Sequence, residues 1–143
     1  MAELKGSQTH ENLRRLFSAE AQTGGLYRYF ARIAEFEGYS EFAALFGEMA
    51  EAQILFADGH LDFLRTVADP TTGMPLGETE WNLASALESE RQAAAEAYPE
   101  MARTARGEGF PAIASWLETL ALSRSAHQER FSQAVSTAKD IER

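Results

Sequence analysis

The stretch that decides the fold is Thr9–Glu37, THENLRRLFSAEAQTGGLYRYFARIAEFE. Leu13, Leu16, Phe17, Glu20, Tyr27 and Ala34 recur in it at spacings of three, four and seven, the signature of one face of an α-helix. Glu20 interrupts that otherwise apolar face. An ionised carboxylate turned toward a core persists only when it is paired, hydrogen-bonded or bound to metal, so Glu20 marks a polar centre in the middle of a packed helix.

The pattern returns later in the chain. Asn82-Leu83 repeats Asn12-Leu13, and Leu83, Ala86, Leu87, Glu90, Ala94 and Ala97 share a face, which puts Glu90 where Glu20 stands 70 positions earlier (90 − 20 = 70). One residue is inserted after Glu90, and from there the offset is 71. Tyr27 then matches Tyr98, Glu37-Gly38-Tyr39 matches Glu108-Gly109-Phe110, and Phe42, Ala43, Leu45 and Phe46 match Ile113, Ala114, Trp116 and Leu117. The chain reads as a duplicated helical hairpin. The same offset sets Gln53 against Arg124 and Phe56 against His127.

Working outward, the first helix is predicted from about Thr9 to Glu37, with Gly38 closing it. The second starts near Ser40, carries Phe42, Leu45, Phe46, Met49, Gln53, Phe56, His60, Phe63 and Leu64 on one face, and ends near Val67 or Ala68. Asp69–Gly77 holds two prolines and two glycines in nine positions and breaks the helix. The third helix is predicted from Glu78-Thr79 to about Gly107. Pro99 removes an internal hydrogen bond there, and the inserted residue between Glu90 and Tyr98 suits a bulge. The fourth starts at Pro111 and frays after Val135. No useful strand alternation occurs. The expected fold is all-α: one domain over residues 1–143, an antiparallel four-helix bundle made of two repeated hairpins joined by a crossover. The paired Gly24-Gly25 inside the first helix costs helix propensity and points to close approach by a neighbouring backbone.

At 143 residues and 45% hydrophobic, the chain has the material for one ordinary domain core. A net charge of −9 argues against nucleic acid and anionic membrane surfaces as partners. The absence of cysteine excludes disulfides, thiolate metal sites and thiol nucleophiles. With no apolar run of membrane-spanning length and no signal-like start, the expected location is the cytoplasm.

Glu20, Gln53, Glu90 and Arg124 with His127 lie at mid-depth on the four helices. Ferritin-like di-iron bundles place a lone Glu on two helices and Glu-x-x-His on the other two. Here the lone Glu residues are present, while the two paired sites read Gln53-Ile54-Leu55-Phe56 and Arg124-Ser125-Ala126-His127. The sequence resembles the rubrerythrin family in Glu11-Asn12-Leu13, Ala19-Glu20-Ala21-Gln22, Tyr27-Arg28-Tyr29-Phe30-Ala31, Glu37-Gly38-Tyr39, Ala50-Glu51-Ala52 and Tyr98-Pro99-Glu100. That resemblance implies a ferritin-like fold, peroxide reduction at a di-iron site, Glu20, Glu90 and His127 as metal ligands, and Tyr27 and Tyr98 hydrogen-bonding nearby. It also implies a homodimer. The chain departs from it at Gln53, Phe56, Ala93 and Arg124, where the family pattern has Glu, His, a further carboxylate and Glu.

Gln is a weak ligand, Phe and Ala are none, and Arg is a permanent cation. Arg124 is therefore expected to replace the metal's charge by bridging Glu20 and Glu90, with His127 and Gln53 meeting the remaining polar demand. His60 is expected to be a hydrogen-bonded core histidine, and His10 a surface one. Two functions follow. The first is a non-catalytic family member with an ion-pair cluster and no metal, acting through binding or assembly. The second is a metal-dependent oxidoreductase acting on peroxide or oxygen, with one iron or manganese held by Glu20, Glu90 and His127, or with two metals in an atypical set. Any electron donor would be a separate protein, since this sequence carries no rubredoxin-like cysteine module. Nine extended residues reach about 30 Å, less than the roughly 40 Å of a 27-residue helix, so exchange of hairpins between two chains would relieve a tight crossover.

Overall fold

The computed structural model describes residues 2–142, and among them every regular element is helical. The chain divides into two compact units, Met1–Pro70 and Thr71–Arg143. In the first, α1 (Gln8–Phe36) packs along α2 (Ser40–Leu64). In the second, α3 (Thr79–Gln92), a π-helical turn (Ala93–Ala97) and α4 (Tyr98–Gly107) run as one broken rod against α5 (Pro111–Glu142).

The repeated Glu-Gly-aromatic triplet explains how both units turn. Gly38 and Gly109 take positive φ, 83° and 89°, a conformation that a side chain disfavours and that ends a helix. The Tyr39 amide then donates back to the Ala34 carbonyl at 2.8 Å, and the Phe110 amide to the Ala105 carbonyl at 2.8 Å. Both caps satisfy orphan carbonyls of the preceding helix. The helix start differs by two residues from its expected place. Ser7, not Thr9, is the cap, its Oγ accepting from the His10 amide at 3.0 Å.

The predicted bulge is a π turn immediately before Tyr98-Pro99. A π turn holds one more residue than the α turn it replaces, so it absorbs the insertion that changes the repeat offset from 70 to 71. Two boundaries are corrected. The second helix ends at Leu64 and passes into a turn over residues 65–67, because the Val67 and Ala68 amides both fold back to the Leu64 carbonyl. The last helix continues to Glu142 instead of fraying after Val135.

Within the first unit, Gly24 is where α1 meets α2. A Cβ there would lie 3.0 Å from Ile54 Cδ1 and 3.5 Å from Gln53 Cβ. Gly25 has open space around it. A close neighbour is thus present at one glycine of the pair, and it is a side chain, Ile54 with the Cβ of Gln53, where backbone was expected. Among the described residues, the buried hydrophobic side chains are small, six alanines and Leu64, so each unit keeps its helices close together while many of its larger apolar residues are exposed.

Candidate functional site

The polar residues predicted at mid-depth sit at the mid-points of their helices, and each unit gathers its own share. In the first unit, Glu20 Oε2 is 2.6 Å from His60 Nε2, with both side chains about one-fifth exposed. α1 supplies the carboxylate and α2 the imidazole. One turn further along α1, Gly24 leaves room for the Ile54 side chain of α2, so the two helices pack closely at this height. Gln53 packs half-buried beside Gly24, and Phe56 is 51% exposed. Tyr27 packs in an aromatic cluster with Phe30 and Phe46, ring centroids 6.3 Å away in each case.

In the second unit, α3 carries Glu90 in a buried position, 8% exposed. Arg124 from α5 donates through Nη1 to Glu90 Oε1 at 3.0 Å and through Nη2 to the Tyr98 hydroxyl at 3.3 Å. Its guanidinium carbon stands 5.6 Å from the Tyr98 ring centroid, a cation–π distance. His127 is one turn on. Its Nδ1 is 3.5 Å from the same Glu90 oxygen, and its side chain is more than half exposed. The Tyr98 hydroxyl, and after it Glu90, raise the Arg124 pKa above its ordinary value, outweighing the opposing effect of burial. The cation is therefore permanent at this place. Glu90 Oε2 is buried and has no hydrogen-bond partner among the described residues. Ala93, where the family resemblance implies a carboxylate, is the first residue of the π turn.

Of the bridge expected between Glu20 and Glu90 through Arg124, the arm to Glu90 lies within the second unit, with Tyr98 and His127 beside it. Within the first unit, Glu20 has His60 as its partner, a pairing the sequence reading did not make although it placed His60 on the core face and hydrogen-bonded. The available signal was that Glu20 and His60 each lie on the inner stripe of adjacent helices. What the spacing left out was the 40-residue separation being closed by the hairpin turn at Gly38.

The geometry disagrees with a di-iron centre. Two irons need bridging carboxylates and an imidazole for each metal. Here a guanidinium occupies the inner side of Glu90, an apolar ring stands at Phe56, and a methyl stands at Ala93. Among the described residues, no three His, Asp or Glu side chains are gathered closely enough to hold a metal ion.

An all-helical chain of two repeated hairpins, with carboxylates at the mid-points of the first and third rods, is a ferritin-like polypeptide. Comparison with known proteins narrows the class. The rubrerythrin family model matches residues 11–135, and the chain belongs to that family. It is 30% identical to Rubrerythrin-1 of Clostridium acetobutylicum, with 98% of this chain and 76% of that protein covered. It is 33% identical to a rubrerythrin of Clostridium perfringens over 99% of this chain and 75% of the relative. A rubrerythrin of Nitratidesulfovibrio vulgaris is 32% identical over 92% of this chain and 71% of its own length.

Proposed function

We propose that this rubrerythrin-family chain has exchanged its metal centre for an ion-pair centre and acts without redox catalysis there, through binding or assembly. The observation that carries the reading is the Arg124 guanidinium seated 3.0 Å from Glu90 Oε1. A cation fixed on that carboxylate competes with metal for the same lone pairs and repels an approaching divalent ion. Glu20 and Glu90 stand at the family's carboxylate positions; His60 hydrogen-bonds Glu20, Arg124 hydrogen-bonds Glu90, and His127 Nδ1 stands 3.5 Å from Glu90.

A second reading has one observation in its favour. Glu90 Oε2 is a buried, unpartnered carboxylate oxygen, and a buried acceptor without a donor is costly unless a further group satisfies it. One iron or manganese ion, held by Glu20, Glu90 and His127, would satisfy it and support reduction of peroxide or oxygen with electrons from a separate donor protein. Metal content per chain separates the two. After expression with added iron and manganese and purification without chelator, the ion-pair reading expects close to zero metal per chain, and about one would establish the second reading in its place.

The remaining elements of the reading are a homodimer, a cytoplasmic location, and no nucleic-acid partner. The net charge of −9 supports the last, the lack of cysteine fits a reducing compartment, and the homodimer rests on the family resemblance. No helix among the described residues is long and apolar enough to cross a membrane.

A further inference from the structure

We propose that the second unit carries an oxyanion-binding groove between α4 and α5, in which Arg103 and Arg106 hold the carboxylate or phosphate group of a small ligand whose apolar body lies along Pro99 and Ala102.

The groove is a cavity of about 490 Å³ lined by Pro99, Ala102, Arg103, Arg106, Gly107 and Glu118. Small-molecule pockets run from about 300 to 1,000 Å³, so a ligand of a few heavy atoms fits with room to spare. Every lining residue belongs to the second unit. Pro99 and Ala102 supply the apolar part of the wall, and the remainder is charged or open.

The charged part is unbalanced. Arg103 and Arg106 are one turn apart on α4, about 5–6 Å between their Cβ atoms, and both are exposed. Like charges at that spacing repel each other. Glu118 on α5 offsets one of them, its Oε1 accepting from Arg106 Nη2 at 2.6 Å. Arg103 has no ion-pair partner among the described residues. The lining therefore holds two positive charges against one negative, a surplus of 2 − 1 = +1 in a chain whose net charge is −9. One monoanionic group neutralises that surplus. A guanidinium has five N–H donors, and the bond to Glu118 leaves Arg106 with others to give. The planar forks of the two arginines match the paired oxygens of a carboxylate or phosphate, a geometry that a lysine ammonium does not offer.

The sequence repeat shows that the fold does not demand this arrangement. At the offset of 71, the groove residues match Arg28, Ala31, Arg32, Glu35, Phe36 and Gly47 of the first hairpin. There Arg32, the counterpart of Arg103, stands over the Tyr29 ring at 4.9 Å. Glu35 occupies the place of Arg106, and Phe36, 84% exposed, that of Gly107. In the second hairpin a carboxylate has become a guanidinium, a ring beside it has gone, and a new carboxylate reaches across from the neighbouring helix. Gly107 has neither of the usual reasons to be glycine. Its φ is not positive, and a Cβ on it would meet nothing within 4 Å. What the missing side chain leaves is open space in the same cavity as Arg103 and Arg106.

The test uses the full chain, isotopically labelled and at low ionic strength. Acetate, butyrate and inorganic phosphate are titrated in turn while backbone amide and arginine Nε–H signals are followed by NMR. Saturable shifts confined to residues 99–107 and the surroundings of Glu118 are expected, with an acetate midpoint on the order of millimolar. Butyrate is expected to saturate at a several-fold lower concentration, because its longer apolar chain lies along Pro99 and Ala102. Whichever of acetate and phosphate saturates first identifies the oxyanion the groove is built for. Arg103→Gln is expected to raise the midpoint by about threefold or more. Glu118→Gln frees Arg106 and is expected to lower it by about threefold. Glu129→Gln makes the same change in net charge eleven residues further along α5 (129 − 118 = 11) and is expected to leave it unchanged. Non-saturating shifts spread over the surface would mean an adventitious ion only and would overturn the proposal. Equal responses from Glu118→Gln and Glu129→Gln would overturn it too, since the anion would then be reading net charge alone. Glu20, Glu90, Arg124 and His127 are not part of the groove, so this result and the metal count stand independently.

Discussion

Arg124→Met is the substitution that tests the centre most directly. It keeps the length of the aliphatic stem and removes the guanidinium, so Glu90 loses its 3.0 Å charge-assisted bond and keeps only His127 Nδ1 at 3.5 Å. Glu90 is 8% exposed and its second oxygen already lacks a donor. Breaking a buried pair from one side costs about 3–5 kcal/mol, and a hydrogen bond to a charged group about 1.5–3 kcal/mol. The Arg124 side chain is 38% exposed, so water screens the pair and the lower scale applies. The expected loss is about 2 kcal/mol, or roughly 6–8 °C in melting temperature for a chain of this size. Glu90→Gln in the Arg124→Met background removes the stranded charge and is expected to recover much of that loss. Chemical denaturation followed by helical circular dichroism on the wild type, both single variants and the double variant gives the coupling energy. Chain concentration must be equal throughout, since assembly adds to apparent stability. A coupling below about 0.5 kcal/mol would refute the reasoning, because two such groups would then be behaving as independent surface charges.

The two central glycines of α1 should respond in opposite directions. Gly25→Ala meets open space and is expected to stabilise by up to about 1 kcal/mol, whereas Gly24→Val drives into Ile54 and is expected to cost about 1–3 kcal/mol; thermal melts of the pair check both. Restoring the family donors with Gln53→Glu, Phe56→His and Arg124→Glu is expected to raise bound iron from near zero, read by elemental analysis, and a folded variant that stays metal-free would count against a simple exchange of charge for metal. Glu88 and Arg91 form an exposed pair in which the Arg91 hydrogen bond, the largest cause, lowers the Glu88 carboxyl below its ordinary value of 4.5. A depressed carboxylate stabilises above its unfolded pKa and loses that contribution as pH falls through the folded one. The small difference in melting temperature between wild type and Arg91→Ala should therefore shrink on acidification from pH 7, and a difference that grew would show the sign to be wrong.

Much of the architecture is legible in the residues because it is local. Helix periods come from side chains three and four apart, and both hairpin turns come from one glycine that accepts positive φ, Gly38 and Gly109. The π turn was announced by a count, one extra residue between Glu90 and Tyr98 with a proline behind it. Arg124 facing Glu90 was readable for the same reason, since both hold the inner stripe at the mid-point of their helices. The family, too, was carried by short local strings.

Tertiary structure alone decided the partners. Glu20 pairs with His60 at a height where α1 and α2 pack closely, and a distance between two helices is not written in either helix's period. Tyr27 and Tyr98 occupy equivalent places in the repeat, yet one lies among Phe30 and Phe46 while the other accepts from Arg124. Sequence equivalence sets the helix face a ring is on. What stands opposite that face, an aromatic ring or a guanidinium, is a property of the neighbouring helix, and it decides whether a tyrosine works as an apolar plate or as a hydroxyl.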